Sequence, residues 1–218
     1  MPKAILFDLD GTLWDRTGAV RALATAQHEE LRDDLGHVPR QQYVDRIISL
    51  DDNGRTDKTI LYQTIGVEFE LSEAVVARLH ADFWARLESF TRPFPEVVDT
   101  LARLRRSGVK LGIITNGSTR VQEEKIRRLG LAELMDVVVV SEREGVRKPD
   151  AEIFHRALER LGVTPSDAWF VGDSPDADIA GAIAAGLRPF WRACTDWPPP
   201  TVACDTIRSL HQLLLLLT

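Results

Sequence analysis

The chain opens its patterned part with four apolar residues, Ala4–Phe7, and this strand-like run stops at two aspartates in the stretch AILFDLDGTLWD. From residue 16 to residue 92 the apolar spacing is helical instead. Val20, Leu23, Leu31 and Leu35 fall on one face of a helix ended by Gly36. PRQQYVDRIISL predicts a second helix after its proline, and DDNG, Asp51 to Gly54, is a turn signal. DKTILYQTIG and SEAVVARLHADFWARLESF predict further helices, the latter capped by Ser72. After TRPFPE the rhythm alternates. EVVDTLARLRRSG, TRVQEEKIRRLG, PDAEIFHRALERLG and DADIAGAIAAG predict helices. VKLGIIT, DVVVV and AWFVG, interleaved with them, predict strands, and RPFW and TVAC are weaker strand candidates.

Alternation on this scale implies a parallel sheet with helices on both faces. The early strand must join that sheet, because a lone strand is not stable. The expected fold class is therefore α/β. Residues 1–15 and 93–218 form the α/β part, and residues 16–92 form an all-helical insert after the first strand.

Composition narrows the class. With 44% hydrophobic and 28% charged residues in 218, a core can form without staples. A net charge of −6 argues against a nucleic-acid binder that relies on a broad basic surface. Cys194 and Cys204 have no zinc-type spacing, so a reducing, cytoplasmic setting is expected. MPKAILFD is too short an apolar run for a signal peptide, and the leucines of LHQLLLLLT are too few for a membrane span. That leucine run is expected to be the buried end of a last helix.

Candidate chemistry gathers where strands end, which is where open α/β sheets bind ligands. Asp8, Asp10 and Gly11-Thr12 follow the first strand. Thr115, Asn116, Gly117 and Ser118 follow LGII. Arg147, Lys148 and Pro149 come after VVVV, and Asp173, Ser174, Asp176 and Asp178 follow AWFVG. Singly, each group reads as a turn, a cap or a solvated charge. Asp8 and Asp10 are more telling, because alternation places both on one side of the strand. Asp8, Asp10 and Asp173 brought together would repel and raise one another's pKa. A hard divalent cation relieves that, Lys148 adds positive charge, and Thr115 with the amides of Asn116 and Gly117 suits phosphate oxygens. Together these make a phosphoryl site.

The four pieces FDLDGT, IITNGS, VRKPD and VGDSPDAD, in this order, resemble the motifs of the haloacid dehalogenase superfamily. The insert resembles the helical cap of its first cap class, and the likeness covers nearly the whole chain. It implies a Rossmann-like core and a Mg²⁺-dependent phosphomonoester hydrolase working through an aspartyl-phosphate. Asp8 would be the nucleophile. Asp10 would be general acid and then general base, with its backbone carbonyl joining the side chains of Asp8 and Asp173 on the metal. Thr115, Asn116 and Gly117 would bind phosphate, with Lys148 linking nucleophile and phosphate and Asp178 acting from behind. Asp176 is an extra acid without a role in the pattern. Mn²⁺ suits the same oxygen ligands.

Asp10 favours phosphate esters over the superfamily's haloacid dehalogenases, which lack this acid, since a departing halide needs no proton. The partner is a small phosphorylated metabolite. The second motif and the cap length resemble pyrimidine nucleotidases and acylneuraminate phosphatases, while glycolate-phosphate and sugar-phosphate phosphatases fit comparably. Arg16, Arg55 and Lys58 are cap cations that either meet an anionic substrate or face solvent. Phe83, Trp84 and Phe90 are expected in the cap core. The competing readings are a phosphomutase, a receiver-type phosphoacceptor and a phosphate binder without turnover. The sequence leaves the oligomeric state open.

Overall fold

In the computed structural model, which describes residues 1–217, the chain divides into two compact units. One is Met1–Trp14 with Pro93–Thr218, and the other is Asp15–Arg92. The first unit begins with β1 (Ala4–Phe7), buried along its whole length.

The second unit is all helical: α1 (Arg16–Glu30), α2 (Arg32–Leu35), α3 (Arg40–Asp51), α4 (Lys58–Glu68) and α5 (Glu73–Arg86). Three of its helix starts carry a side-chain cap. Asp15, Asp57 and Ser72 each accept a first-turn backbone N–H. The helix expected to run to Gly36 stops earlier, at Leu31, whose φ of −103° and ψ of 35° leave the helical region. Leu31 and Leu35 both still reach the core formed with Leu23, Tyr43, Leu61, Leu79 and Phe83. Buried Gln27 ties four helices together. Its Oε1 accepts from Tyr43 and Tyr62 at 3.2 and 3.1 Å, and its Nε2 donates to the Leu79 carbonyl at 3.1 Å. A buried amide is tolerated because its groups are paired. Trp84 departs from expectation. The inward stripe of α5 is Val75, Leu79 and Phe83, so Trp84 is turned off it, 56% exposed, and donates to His80.

The first unit continues with α6 (Val97–Arg106), β2 (Lys110–Thr115), α7 (Thr119–Arg128), β3 (Val137–Val140), α8 (Ser141–Glu144), α9 (Ala151–Leu161) and β4 (Ala168–Gly172). A wide π-helical turn, Pro175–Ala180, leads into α10 (Gly181–Ala184), then β5 (Arg188–Arg192), β6 (Asp205–Ile207) and α11 (His211–Leu215). Among the described residues six strands make one parallel sheet in the order β3-β2-β1-β4-β5-β6. Strand order reverses between β1 and β4, and such a switch point is where this topology opens a crevice beyond the strand ends. Phe154 of α9 packs edge-on against Phe170 of β4 at 5.0 Å, within a core that includes Leu6, Ile114 and Val139. Such an aromatic pair contributes about 0.5–1.5 kcal/mol beyond the area it buries.

Two further segments near the C-terminus differ from expectation. TVAC is not a strand. Pairing starts one residue later, at Asp205 opposite Phe190, where the Asp205 carboxylate takes the Arg188 guanidinium at 2.7 Å. The leucine run is not a buried helix end. The helix is five residues long, and Leu213 is buried while Leu215 is 73% exposed. Consecutive leucines on a 3.6-residue period point all ways, so one core face cannot take them all. No helix among the described residues is long and apolar enough to cross a membrane.

Candidate active site

Asp8 extends β1 by one residue, its N–H bonding the Val171 carbonyl of β4 at 2.9 Å. The side chain thus lies at the switch point. Asp8 Oδ1 accepts from Lys148 Nζ at 2.5 Å, and Lys148 Nζ donates also to Asp178 Oδ1 at 2.7 Å. No described residue donates to Asp8 Oδ2. Lys148 is held by its own backbone: Asn116 Nδ2 donates to its carbonyl and Asn116 Oδ1 accepts its N–H, both at 3.0 Å. Asn116 therefore ties the end of β2 to the segment that carries the lysine.

Asp178 comes from the π-helical turn. Its Oδ2 accepts the Ser174 N–H at 3.0 Å, so both its oxygens have protein donors. It packs so close beneath β4 that a Cβ on Gly172 would lie 2.4 Å from it, which is why no larger residue fits there. Asp173, next to that glycine, takes Thr12 Oγ1 on Oδ1 at 3.1 Å and Trp197 Nε1 on Oδ2 at 2.8 Å. Trp191 Nε1 holds its backbone carbonyl at 2.7 Å.

Asp8, Asp173 and Asp178 are buried and offer oxygens within 4.8 Å of one another. Burial pushes the Asp8 carboxyl well above the ordinary carboxylate range. Lys148 opposes that, and the neighbouring aspartates add to it. Asp173 is pushed up to about 7 by burial and by Asp178, against the hydrogen bonds of Trp197 and Thr12 and the charge of Lys148. Burial works against the Lys148 charge, yet Asp178 and Asp8 raise it above an ordinary lysine. Three buried carboxylates thus face one ammonium, and a divalent cation fits the imbalance. The donors are hard oxygens, as Mg²⁺ requires; Asp173 and Asp178 each have protein donors on both oxygens, while Asp8 Oδ2 has none among the described residues.

Asp10 is not one of these three carboxylates, though its charge also acts on Asp8. Its Oδ1 takes Trp14 Nε1 at 2.9 Å and Lys125 Nζ at 2.5 Å, and its Oδ2 takes Gln122 Nε2 at 2.8 Å. Thr115 is buried at the end of β2 and its hydroxyl also accepts from Gln122. The Gly117 N–H, expected in a phosphate cradle, donates to Ser141 Oγ at 3.0 Å. Asp176 is exposed and outside the carboxylate cluster. Arg16 and Lys58 both pair with Asp51 within the helical unit, and Arg55 pairs with Asp52.

Gln122, Lys125, Thr12 and Trp197 contact the expected site residues and carry no role in the motif reading. A signal existed for one of them. Gln122 and Ile126 are the buried residues of α7, so a glutamine occupies a position where the helical period calls for an apolar residue.

The haloacid dehalogenase-like hydrolase family model matches residues 2–186. The chain is 37% identical over 204 residues to the glyceraldehyde 3-phosphate phosphatase of Methanopyrus kandleri, covering 86% of this chain and 82% of that one. It is 34% identical over 201 residues to the ribulose-1,5-bisphosphate 5-phosphatase of Halopiger xanaduensis, covering 86% and 83%. Among solved structures, the magnesium-bound HAD-hydrolase YfnB of Bacillus subtilis superposes with a TM-score of 0.76 at 26% identity, over 99% of this chain and 98% of that one.

Proposed function

The chain belongs to the haloacid dehalogenase-like hydrolases, and on that premise we propose that it hydrolyses phosphate monoesters of small sugar-type metabolites, using Mg²⁺ and Asp8 as nucleophile. The observation that carries the reading is the arrangement around Asp8: Lys148 on one oxygen, the other oxygen without a donor among the described residues, and Asp173 alongside. Asp8 and Asp173, with the Asp10 backbone carbonyl, would hold Mg²⁺. The ion would offset the carboxylate charge and polarise the phosphoryl group.

The chain's own residues do the rest. Asp8 Oδ2 attacks phosphorus, the bond from phosphorus to the ester oxygen breaks, and Asp10 gives its proton to the departing alkoxide. Water then attacks the phosphorus of the aspartyl-phosphate, Asp10 takes a proton from it, and the bond to Asp8 breaks. The balance is ester plus water to alcohol plus inorganic phosphate. Lys148, kept charged by Asp178, draws Asp8 and the phosphoryl oxygens together, and the Thr115 hydroxyl donates to the phosphoryl group.

The two units divide the labour. Residues 1–15 and 93–218 carry the chemistry, and residues 16–92 act as a cap that sets substrate choice. Triose and pentose phosphates are favoured because the relatives that span most of this chain are named for glyceraldehyde 3-phosphate and ribulose 1,5-bisphosphate. The test is phosphate release from a panel of these esters, phosphoglycolate and nucleoside monophosphates, with Mg²⁺, with chelator, and with Asp8→Asn. Metal-dependent release lost in the variant is expected. An isomerised ester in place of free phosphate would overturn the reading in favour of a mutase.

A further inference from the structure

Asp10 must protonate a leaving group next to a phosphoryl group held by Thr115, so the distance between these two side chains matters to the reaction. Neither touches the other among the hydrogen bonds described. One side chain joins them. Gln122 Nε2 donates to Asp10 Oδ2 at 2.8 Å and to Thr115 Oγ1 at 2.5 Å. The orientation of that amide is fixed by chemistry as well as by fit. Lys125 Nζ lies 2.8 Å from Gln122 Oε1, and an ammonium only donates, so the oxygen must face Lys125 and the nitrogen must face Asp10 and Thr115.

Lys125 is itself held. It donates to Asp10 Oδ1 at 2.5 Å and sits 5.0 Å from the centre of the Trp14 ring, whose N–H reaches the same Asp10 oxygen. Its side chain is 15% exposed. The backbone makes room for the bridge. Gly117 has a φ of +146°, and a Cβ there would lie 3.0 Å from Gln122 Cγ, so a side chain would crowd the glutamine.

Resting on the phosphatase reading of this site, we infer that Gln122 and Lys125 are positioning residues that set the Asp10 carboxyl against the phosphoryl group and turn the Thr115 hydroxyl proton toward it. The second part follows from donor and acceptor roles. Since Gln122 fills an acceptor site on Thr115 Oγ1, the threonine's own O–H is left to donate elsewhere. Lys125 acts on Asp10 directly and on Gln122 through its amide oxygen. A merely structural lysine on a helix surface would do neither.

The leaving group separates these roles. Proton donation matters for an alkyl ester, such as glyceraldehyde 3-phosphate, and little for p-nitrophenyl phosphate, whose phenolate leaves unaided. The quantity to read is kcat/KM, which reports the step in which the ester bond breaks. Lys125→Met is expected to lower the ratio of kcat/KM on the alkyl ester to that on the aryl ester by about 10-fold or more, the scale of loss from a displaced catalytic group. Lys125→Arg is expected to restore most of it, and Gln122→Met to lower it as Lys125→Met does, with activity on both esters falling because Thr115 is also released. Melting curves of each variant report folding separately. An unchanged ratio, with equal loss on both esters or none, overturns the inference and leaves the phosphatase reading standing. A wild type that releases phosphate from neither ester overturns that reading and the inference with it.

Discussion

Trp197 Nε1 donates to Asp173 Oδ2 at 2.8 Å from a loop 24 residues further along the chain. With Thr12 on the other oxygen and Trp191 on the backbone carbonyl, Asp173 is fixed from three directions. Groups that orient a metal's ligands typically change affinity by about 10–100-fold when removed. Trp197→Phe keeps an aromatic ring, though a smaller one, and removes the donor. It is expected to weaken Mg²⁺ binding about 10-fold by titration calorimetry, with little change in melting temperature. Unaltered affinity would mean that Asp173 needs no such support.

Without a metal, Asp173 titrates at about 7 when folded against an ordinary 3.8, and Asp8 is raised as well. The folded state then binds protons more tightly than the unfolded chain. The Asp173 contribution to stability must therefore fall as pH rises from about 4 to about 7, with no penalty below that window, where its carboxyl is protonated in both states, and Asp8 acts in the same direction. Thermal melts in chelator should show this decline. Added Mg²⁺ should raise the melting temperature more at about pH 8 than at about pH 5, because the carboxylates it pairs with are ionised only at the higher value. An equal rise at both would contradict the assignment of Asp8 and Asp173 to the ion.

Asp10→Asn keeps the shape of the acid and removes its proton. Turnover of an alkyl phosphate is expected to fall by about 10²–10⁴-fold, the usual worth of general acid–base catalysis. Steady-state phosphate release measures this, and near-normal turnover would assign the proton to another group.

The sequence showed this site unevenly, for a physical reason. Asp8, Lys148 and Asp178 lie directly after predicted strands or in the turn that follows, and a parallel sheet brings all such ends to one edge. Topology alone was enough to gather them. Gln122 and Lys125 sit inside a helix, where polar residues are ordinarily solvated, and their partner Asp10 is 112 and 115 positions away. Trp197 reaches Asp173 from an irregular loop with no period to read. The same limit explains the helical unit. The start of α5 was legible from Ser72, while the end of α1 at Leu31 has no glycine or proline beside it to mark it.

Asp51 closes α3 and gathers two cations from different helices. Its Oδ1 accepts from Lys58 at 2.8 Å, Arg16 reaches both its oxygens, and Oδ2 also takes the Gly54 N–H at 2.9 Å. Lys58 and Asp51 are buried, and the Arg16 side chain is 12% exposed. Burial alone would raise the Asp51 carboxyl, but Arg16 and Lys58 outweigh it and hold it below its ordinary value of 3.8. A carboxyl lowered in this way adds stability that is present above 3.8 and is lost as pH falls through its folded value, the reverse of Asp173. Asp51→Asn removes the charge and leaves two enclosed cations facing an amide. Breaking a buried pair from one side typically costs about 3–5 kcal/mol. Urea unfolding at neutral pH should show a loss of that order, and the gap to wild type should narrow in acid as wild-type Asp51 itself becomes protonated. An equal gap at both pH values would assign the loss to the Gly54 hydrogen bond, and no loss at all would mean that Arg16 and Lys58 find another anion.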